Sequence, residues 1–355
     1  MTHTAETDRT ALIIGATGSF GAHAMCALNR HGWTIRALAR DPAAAARRVG
    51  EKMPVEWRKG DAMNAAEVIA AAEGASIIVH GANPPRYRKW RQLALPMLAS
   101  TVAAAKAHGA RIVLPGTVYN YAPDAGPAIA EDASQAPVTR KGKVRVEMEQ
   151  MLRAAGADGV RALVLRAGDF FGPAAPNSGL LWLTNRKAGR VTSVYRTGPV
   201  GHAFAYLPDL AETLARLLDR ESDLTDFEVF HFAGHWLAGD EALGQAVRRV
   251  TGQPRIPIKA FPWAMVHAAG PFVPMMREMA EMRYLWEKPI GLDESKLRAF
   301  LGEVPFTPLD AAMAESLDDL GVDLAGPGPR RTGEGCWTAT GANPYVAGHV
   351  RAHAV

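Results

Sequence analysis

The segment "LIIGATGSFG", residues 12–21, decides the fold of the N-terminal half of the chain. Its apolar start predicts a buried strand, and three glycines at three-residue intervals follow. Gly15 permits a tight turn, Gly18 lets the backbone approach a pyrophosphate, and Gly21 lets the next helix pack on the strand. Because the N-terminus of that helix directs N–H groups at an anion, the segment predicts a dinucleotide phosphate site.

Short apolar runs alternate with helical patterns from residue 10 to about residue 166, which is typical of α/β proteins. The alternation predicts a Rossmann domain over 10–166, with a doubly wound parallel sheet completed by parts of 200–235. Residues 167–323 are predicted to form mostly a smaller C-terminal substrate-binding lobe. Residues 324–355 lack a sustained period and are expected to be a flexible tail. The predicted strands of the first domain are 11–14, 34–38, 55–59, 76–80, 111–115 and 160–166.

The composition argues against several classes of protein. The 355 residues carry a formal net charge of +4 and two cysteines, so neither a nucleic-acid surface nor a disulfide framework is indicated. No signal peptide and no membrane span are expected, because the start is not basic and no apolar run reaches about 18 residues. A cytoplasmic location without nucleic-acid or membrane partners is therefore predicted. His231 and His235 lack a nearby carboxylate motif, and no metal is predicted.

The end of the second predicted strand bears on the choice between NAD and NADP. Sites that bind a free ribose 2′-hydroxyl usually place an acidic residue there, whereas this chain has Arg40. Arginine makes bidentate, charge-assisted bonds with phosphate, so NADP is predicted, with NAD as the alternative. Asp41 is interpreted as a helix cap. Asp61, at the end of the third strand, either meets the adenine edge together with Ala62 or only begins a turn.

Four motifs resemble those of the extended short-chain dehydrogenase/reductases, the NAD-dependent epimerase/dehydratase group. They are "LIIGATGSFG" (12–21), "KGDAMN" (59–64), "IIVHGAN" (77–83) and "LRAGDFFGP" (165–173). The segments "HAFAYLPDLAETLARLL" (202–218) and "FTPLDAAMAESLDDLG" (306–321) are similar to the group's substrate lobe and C-terminal ending. Taken with the glycine loop and the strand ends, the resemblance implies that the cofactor contacts Gly15, Thr17, Gly18, Ser19, Phe20, Gly21, Arg40, Asp61, Ala62, Gly81, Ala82, Asn83, Lys143, Ala167, Asp169 and Phe170.

The resemblance also implies a catalytic Tyr-x-x-x-Lys motif, in which the Tyr exchanges a proton with the substrate and the Lys binds the nicotinamide ribose. The segment "PVTRKGKVRVEME" (137–149) matches Lys143 to the lysine, but Thr139 stands at the tyrosine position. Pro115 stands where the group has a Ser or Thr that helps hold the substrate oxygen. A threonine hydroxyl cannot replace a phenol as a general acid–base group near neutral pH.

Three possibilities follow for the chemistry. One is that another phenol substitutes, because Thr117, Tyr119 and Tyr121 lie on one side if their segment is extended. Tyr121 is then the better candidate, since Tyr119 occupies the group's structural Val-Tyr position. The second is that the substrate needs no tyrosine acid, and the third is that a dinucleotide is bound without turnover. The candidate catalytic residues are Lys143, Tyr121, Tyr119, Thr117 and Thr139.

The sequence therefore predicts an NAD(P)-dependent oxidoreductase that acts on a carbonyl/alcohol pair, with a non-catalytic NADP(H)-binding or redox-sensing protein as the alternative. Met and Trp residues concentrated in 261–301 favour a small-molecule substrate that is apolar or mixed, in preference to a sugar nucleotide. The cations Arg86, Arg88, Arg140 and Lys141 favour an anionic group on the substrate or cofactor. A homodimer is left open.

Overall fold

The computed structural model describes residues 9–50, 53–84, 90–175 and 178–326. Arg86, Arg88 and nearly all of the predicted tail lie outside the described residues. The described strands are β1 (Thr10–Ile14), β2 (Thr34–Ala39), β3 (Glu56–Lys59), β4 (Ile77–His80), β5 (Arg111–Thr117), β6 (Ala162–Ala167), β7 (Asp169–Phe171), β8 (Thr184–Lys187), β9 (Arg190–Tyr195), β10 (His202–Tyr206), β11 (Phe227–Phe232), β12 (His235–Leu237) and β13 (Ile258–Lys259).

Helices connect and cover these strands. They are α1 (Ser19–Arg30), α2 (Pro42–Val49), α3 (Ala65–Ala71), α4 (Trp90–His108), α5 (Arg140–Ala155), α6 (Gly179–Leu183), α7 (Leu207–Asp219), α8 (Ala242–Thr251), α9 (Trp263–Ala269), α10 (Pro274–Glu281), α11 (Ser295–Leu301) and α12 (Leu309–Asp319). One face of α7 is apolar and buried, with Leu210, Leu214 and Leu217 fully inaccessible to solvent.

Seven parallel strands form the central sheet, in the order β3-β2-β1-β4-β5-β6-β11. Strands β1, β4, β5 and β6 are buried along their whole length, which is why they are nearly continuous apolar runs in the sequence. Helices α1 and α7 contribute to the apolar core on one face of the sheet, and α3, α4 and α5 contribute to the core on the other. The predicted doubly wound Rossmann-like fold is confirmed.

A smaller C-terminal region follows the Rossmann-like unit and returns one strand, β11, to its sheet. It contains two three-stranded sheets, in the orders β12-β10-β7 and β13-β9-β8. A third apolar core joins these sheets to α8 and α12, with residues such as Phe204, Val247 and Leu317 buried in it. Strand β7 comes directly after β6, so this second region begins beside the carboxyl edge of the central sheet.

The order of the strands locates the candidate site. The chain winds outwards in one direction from β1 to β3 and in the other from β4 to β11, so the topology reverses between β1 and β4. In open α/β sheets, ligands bind beyond the carboxyl ends of the strands at this switch point. The glycine loop follows β1, and the segment Gly81–Asn83 follows β4. Both predicted cofactor segments therefore lie at the switch point.

Candidate functional site

The glycine loop is held against the segment that follows β4 by close backbone contacts. Gly15 has a φ of +88°, a conformation that strongly favours glycine, and a Cβ added there would lie 2.6 Å from the backbone N of Ala82. A Cβ added at Gly21 would lie 2.3 Å from the carbonyl oxygen of Gly15. The N–H of Gly81 donates to the carbonyl of Ile14 at 2.8 Å. Two of the three glycines are thus required by the packing of the loop itself.

Gly18 differs from the other two glycines because the space beside it is open. It has an extended conformation at the N-cap of α1, and an added Cβ would meet only the Gly15 carbonyl oxygen, at 3.2 Å. No side chain caps the first N–H groups of α1, and no acidic residue lies in its first turn. Because these N–H groups lack partners within the helix, the loop fits a pyrophosphate. Thr17 and Ser19 flank Gly18 and are half-buried.

Aromatic packing connects this loop to the far side of the switch point. Phe20, in the first turn of α1, stacks on Phe170 with the ring centroids 6.3 Å apart and the planes 24° apart. Phe170 lies in β7, three residues after Ala167 at the end of β6. Two of the predicted cofactor residues, Phe20 and Phe170, are therefore in contact, and a third, Ala167, ends the neighbouring β6.

The end of β2 presents Arg40, whose side chain is exposed. The neighbouring Asp41 accepts a hydrogen bond from the N–H of Ala44 at 3.0 Å and caps α2, as predicted. At the end of β3, the Asp61 carboxylate accepts the N–H of Met63 at 3.0 Å and so begins a turn. Of the two roles considered for Asp61, the turn is the one that its side-chain contact supports, and the half-buried Ala62 lies within that turn.

Three further residues predicted to contact the cofactor follow β4. Gly81 and Ala82 are half-buried beside the glycine loop, and Asn83 is exposed. His80 is buried, and its Nδ1 lies 2.8 Å from the hydroxyl of Thr101. Burial lowers the pKa of His80 to about 3, so the imidazole is neutral at physiological pH.

The segment after β5 is not extended, which corrects the prediction that Thr117, Tyr119 and Tyr121 lie on one side. The hydroxyl oxygen of Thr117 accepts the N–H of Tyr119 at 3.2 Å and starts a turn of 3₁₀ helix over Val118–Asn120. A hydroxyl that caps the backbone in this way competes with an extended conformation. The two tyrosines therefore diverge from each other.

Tyr121 is enclosed in the protein and does not present a hydroxyl to a substrate, contrary to the prediction. Its side chain is inaccessible to solvent, and its hydroxyl lies 2.6 Å from Nη1 of Arg166 and 3.0 Å from Nε2 of His231. Burial raises its pKa to about 12. Arg166 also pairs with the buried Glu149 at 2.6 Å, so Tyr121 belongs to a buried polar network.

The other tyrosine, Tyr119, lies in a group of polar residues at the junction of the two regions. Its hydroxyl donates to Asp169 at 2.9 Å, and the other carboxylate oxygen of Asp169 lies 2.9 Å from Nε2 of His202. Burial alone raises the pKa of Asp169, but the hydrogen bonds from His202 and Tyr119 and the charge of Lys141 hold it below its usual value. We call Tyr119, Asp169, His202 and Lys141 the Asp169 cluster. Asp169 is thus ionised and well partnered.

The start of α5 carries Thr139 and Lys143, two of the predicted catalytic residues. Thr139 is the N-cap of α5, and its buried hydroxyl oxygen accepts the N–H of Gly142 at 2.9 Å. Lys143, four residues later, is exposed. The contact of Lys143 with the nicotinamide ribose stays a prediction.

The side of α5 that makes polar contacts with the rest of the protein carries Lys141, Arg145 and Glu149, which are spaced four residues apart. Lys141 is only 5% exposed, and its ammonium donates to the carbonyl of Glu278 at 3.1 Å. Arg145 donates to the carbonyl of Pro115 in β5 at 3.2 Å. Burial lowers the pKa of Lys141, while the nearby carboxylates oppose that effect. No role was predicted for Arg145, although its four-residue spacing from Lys141 and Glu149 is visible in the sequence.

A further phenol near the Asp169 cluster was also missed. The Tyr284 hydroxyl is buried and has no hydrogen-bond partner among the described residues. Burial and the charges of Asp169 and Glu281 raise its pKa. Tyr284 comes from the C-terminal region, more than a hundred residues after Asp169, so no local sequence signal indicates this proximity.

A cavity of about 560 Å³ opens beside Lys141, between the N-terminal ends of α4 and α5 and the helix α10. Its lining holds more cations than anions, so it favours an anionic group. The lining residues are Trp90, Arg91, Gln92, Arg140, Lys141, Lys143, Val144, Glu147, Pro274, Arg277 and Glu278.

Aromatic residues of the C-terminal region pack together near His202. The ring of Trp286 lies 6.1 Å from that of His202, 5.2 Å from Phe261 and 5.4 Å from Trp263. Tyr195 lies 5.2 Å from Phe261 and extends the group. All four aromatic side chains are half-buried, so this aromatic cluster offers apolar surface close to the Asp169 cluster.

Among the described residues, no helix is both long enough and apolar enough to cross a membrane. Within the same residues, no group of three or more His, Cys, Asp or Glu side chains is arranged to hold a metal ion.

The sequence model of the NAD dependent epimerase/dehydratase family matches residues 11–231, well over half of the chain. The chain belongs to this family, which confirms the suspected resemblance. No curated protein sequence matches the chain.

Solved structures share the fold at low sequence identity. A UDP-glucose 4-epimerase from Bifidobacterium longum, in complex with NAD+ and UDP, is 18% identical, with 87% of this chain and 97% of that chain covered and a TM-score of 0.66. A UDP-glucuronic acid 4-epimerase from Bacillus cereus, in complex with UDP-glucuronic acid and NAD, is 14% identical, with 88% and 98% covered and a TM-score of 0.69. A putative epimerase from Burkholderia cenocepacia J2315 is 19% identical, with the same coverage and TM-score.

Proposed function

We propose that this member of the family is an NAD(P)-dependent oxidoreductase that transfers hydride between a nicotinamide dinucleotide and a carbonyl/alcohol substrate in the cytoplasm. The observation that carries the proposal is the glycine loop at the switch point, where Gly18 leaves the uncapped N-terminus of α1 open. A bound dinucleotide would supply the hydride. The protein would supply the phosphate site, the positioning groups and a proton.

NADP is the proposed cofactor, and NAD is the alternative, since two of the epimerases compared above are NAD complexes. Arg40 is exposed at the end of β2, where a guanidinium can pair with a 2′-phosphate. Asp41 is the only acidic residue beside it in the sequence, and its carboxylate is engaged by the N–H of Ala44. A carboxylate that caps a helix is poorly placed to bind a ribose 2′-hydroxyl.

The proposed substrate is mixed in character, with an anionic group and an apolar or sugar-like body. Arg140, Lys141 and Arg277 line the cavity beside α5 and suit an anion. The aromatic cluster around Trp286 lies beside His202 and suits an apolar body. Sugar nucleotides belong to this mixed class, and one of the compared epimerases holds UDP-glucuronic acid.

A non-catalytic NADP(H)-binding or redox-sensing role is the second candidate, and a specific observation favours it. The hydroxyl at the family's tyrosine position, that of Thr139, caps a helix, and the hydroxyl of Tyr121 is enclosed. If no other group donates the proton, the dinucleotide would be bound without turnover.

Calorimetric titration with NADPH and NADH tests binding. A screen of carbonyl compounds that includes UDP-sugars, followed by the loss of NADPH absorbance, tests turnover. The proposal expects micromolar or tighter NADPH binding and at least one compound that is reduced. Absence of dinucleotide binding would refute both candidate functions, whereas tight binding without turnover would support the sensing role over the enzyme.

A further inference from the structure

A long uncharged segment lies in the C-terminal region. Residues 260–276, "AFPWAMVHAAGPFVPMM", contain no Asp, Glu, Lys or Arg, and they include all of α9 and the start of α10. Soluble protein surfaces carry charged residues at about a quarter to a third of their positions. A segment of this length without such a residue is therefore expected to be covered, either by the protein itself or by a partner.

The protein itself leaves much of this segment uncovered. Phe272, in the turn between α9 and α10, is 85% exposed, and Met265 of α9 is 57% exposed. We call the turn, residues 270–274, the hairpin tip. Exposed apolar residues that lie together mark an interaction site. Apart from His267, the other exposed residues of 264–274 are apolar as well, and they are Ala264, Ala268, Pro271, Val273 and Pro274.

The backbone N–H groups of the hairpin tip do not depend on water. The N–H groups of Phe272 and Val273 both donate to the carbonyl of Ala269, at 3.0 and 2.8 Å. The N–H of Gly270 donates to the carbonyl of Val266 at 3.0 Å. The other two residues of the tip are prolines, which have no N–H. Because unpaired N–H groups are costly outside water, a tip with these bonds can enter an apolar layer at a low cost.

Positive charge lies next to the hairpin tip. Arg277 is exposed, and a Cβ added at Gly270 would lie 3.6 Å from the Cα of Arg277. Arg277 also lines the cavity beside α5, whose lining holds more cations than anions. The two carboxylates of α10 are both paired with Arg140, at 3.1 and 3.4 Å. The charge beside the tip therefore favours an anionic partner.

A bilayer that contains anionic lipids fits these observations better than a second protein does. The strongly exposed Phe272 protrudes from the surface, and a bilayer accepts a protruding apolar side chain without a complementary groove. Anionic headgroups attract the adjacent cations while the apolar side chains lie below them. No membrane partner was predicted from the sequence, because no apolar run is long enough to span a membrane, but a tip that enters only the interface needs no span.

We propose that the hairpin tip inserts into the interfacial layer of an anionic membrane and docks the protein reversibly on a lipid surface. In the docked protein, Phe272 and Val273 lie among the upper acyl chains, and Arg277 faces the lipid phosphates. The cavity beside α5 is lined by Pro274, the last residue of the tip, so docking places its mouth near the headgroups. This inference goes beyond the proposed function and does not depend on turnover.

Co-sedimentation with vesicles tests the docking without any activity assay. The wild type should sediment with vesicles of equal parts phosphatidylcholine and phosphatidylglycerol, and less with phosphatidylcholine alone or with added salt. Phe272→Ser should weaken binding about ten- to a hundredfold, the range that corresponds to burial of one Phe side chain. Phe272→Trp keeps a large apolar ring and should bind as the wild type does.

Phe306→Ser is the matched control, because Phe306 is 58% exposed elsewhere on the surface, beside His235 of β12. It should keep vesicle binding. Arg277→Ala should weaken binding to the anionic vesicles about fivefold, the value of one cation near an anionic surface, and should not change binding to phosphatidylcholine. Phe272→Ser should melt as the wild type does, because a side chain so exposed packs little against the fold.

A wild type that does not sediment with the anionic vesicles would overturn the docking even if it binds NADPH, whereas absence of NADPH binding would refute the proposed function instead. Unchanged vesicle binding by Phe272→Ser, or an equal loss in Phe306→Ser, would overturn the role of the tip. Sedimentation velocity without lipid covers the other occupant. A dimer that dissociates in Phe272→Ser would assign the tip to a second copy of the chain and overturn the proposal.

Discussion

Gly18 and Gly21 together test the cofactor site. Gly18 has open space beside it, where a ligand can bind, whereas Gly21 packs against the backbone of the loop. Gly18→Val places a side chain on the open side of the loop. Its Cβ would meet only the Gly15 carbonyl oxygen at 3.2 Å, and its extended φ of −82° suits any residue. The expected loss is a poorer helix N-cap, about 1 kcal/mol, or at most about 4 °C in melting temperature.

The same valine should abolish dinucleotide binding. It keeps the pyrophosphate from the first N–H groups of α1, and the loss of about two charge-assisted hydrogen bonds corresponds to about 3–6 kcal/mol. The affinity for NADPH should therefore fall at least about a hundredfold.

Gly21→Ala should behave differently. Its Cβ would lie 2.3 Å from the carbonyl oxygen of Gly15. This distance is about 0.7 Å shorter than 3.0 Å, below which contacts of a Cβ atom are essentially never observed. Because that atom belongs to the backbone and cannot rotate away, overpacking should cost about 3 kcal/mol or more and lower the melting temperature by about 6–12 °C.

Calorimetry with NADPH and thermal denaturation of both variants check these expectations. A Gly18→Val protein that binds NADPH as the wild type does would refute the phosphate site. A Gly21→Ala protein that melts with the wild type would refute the close packing of the loop.

Three further predictions concern the cofactor, the buried polar network and acid stability. Arg40→Asp should invert a preference for NADPH over NADH, and equal wild-type affinities in calorimetry would contradict the role of Arg40. Tyr121→Phe should lower stability by about 1–3 kcal/mol, because it leaves buried partners unsatisfied, and should leave NADPH affinity unchanged. A normal melting curve with lost turnover would return Tyr121 to the catalytic site. Burial lowers the pKa of His23 and His231 to about 4 and that of His80 to about 3, so unfolding takes up protons at acid pH. Stability should fall by several kcal/mol as pH falls from about 6.5 towards 4, and a melting temperature that stays constant over that range would refute this.

The central sheet was predictable because its inner strands are buried on both faces and form apolar runs in the sequence. The predicted strand 11–14 is observed as Thr10–Ile14, and 34–38 as Thr34–Ala39. The conformation of the glycine loop was predictable because its turn, its open glycine and its helix start are neighbours in sequence. In both cases a short stretch of sequence carries the signal.

The polar contacts between distant segments were not predictable from the sequence. Tyr119, Asp169 and His202 come from the end of β5, from β7 and from β10, and no sequence period relates them. The extended conformation assumed for Tyr119 and Tyr121 was wrong because the Thr117 hydroxyl caps a 3₁₀ turn. A side-chain cap of this kind needs only one local hydrogen bond, and it changes the direction of the chain that follows.

The start of α5 shows what matching residue types alone leaves out. Thr139 stands at the position of a tyrosine in the motif, but its hydroxyl accepts the N–H of Gly142, as an N-cap threonine does. With the cap at Thr139, Lys141, Arg145 and Glu149 follow four residues apart on the side of the helix that makes polar contacts with the protein, and Lys143 is exposed. Because Lys141 and Lys143 nevertheless line the same cavity, exposure does not remove Lys143 from the site. Its contact with a nicotinamide ribose stays a prediction that a bound cofactor would test.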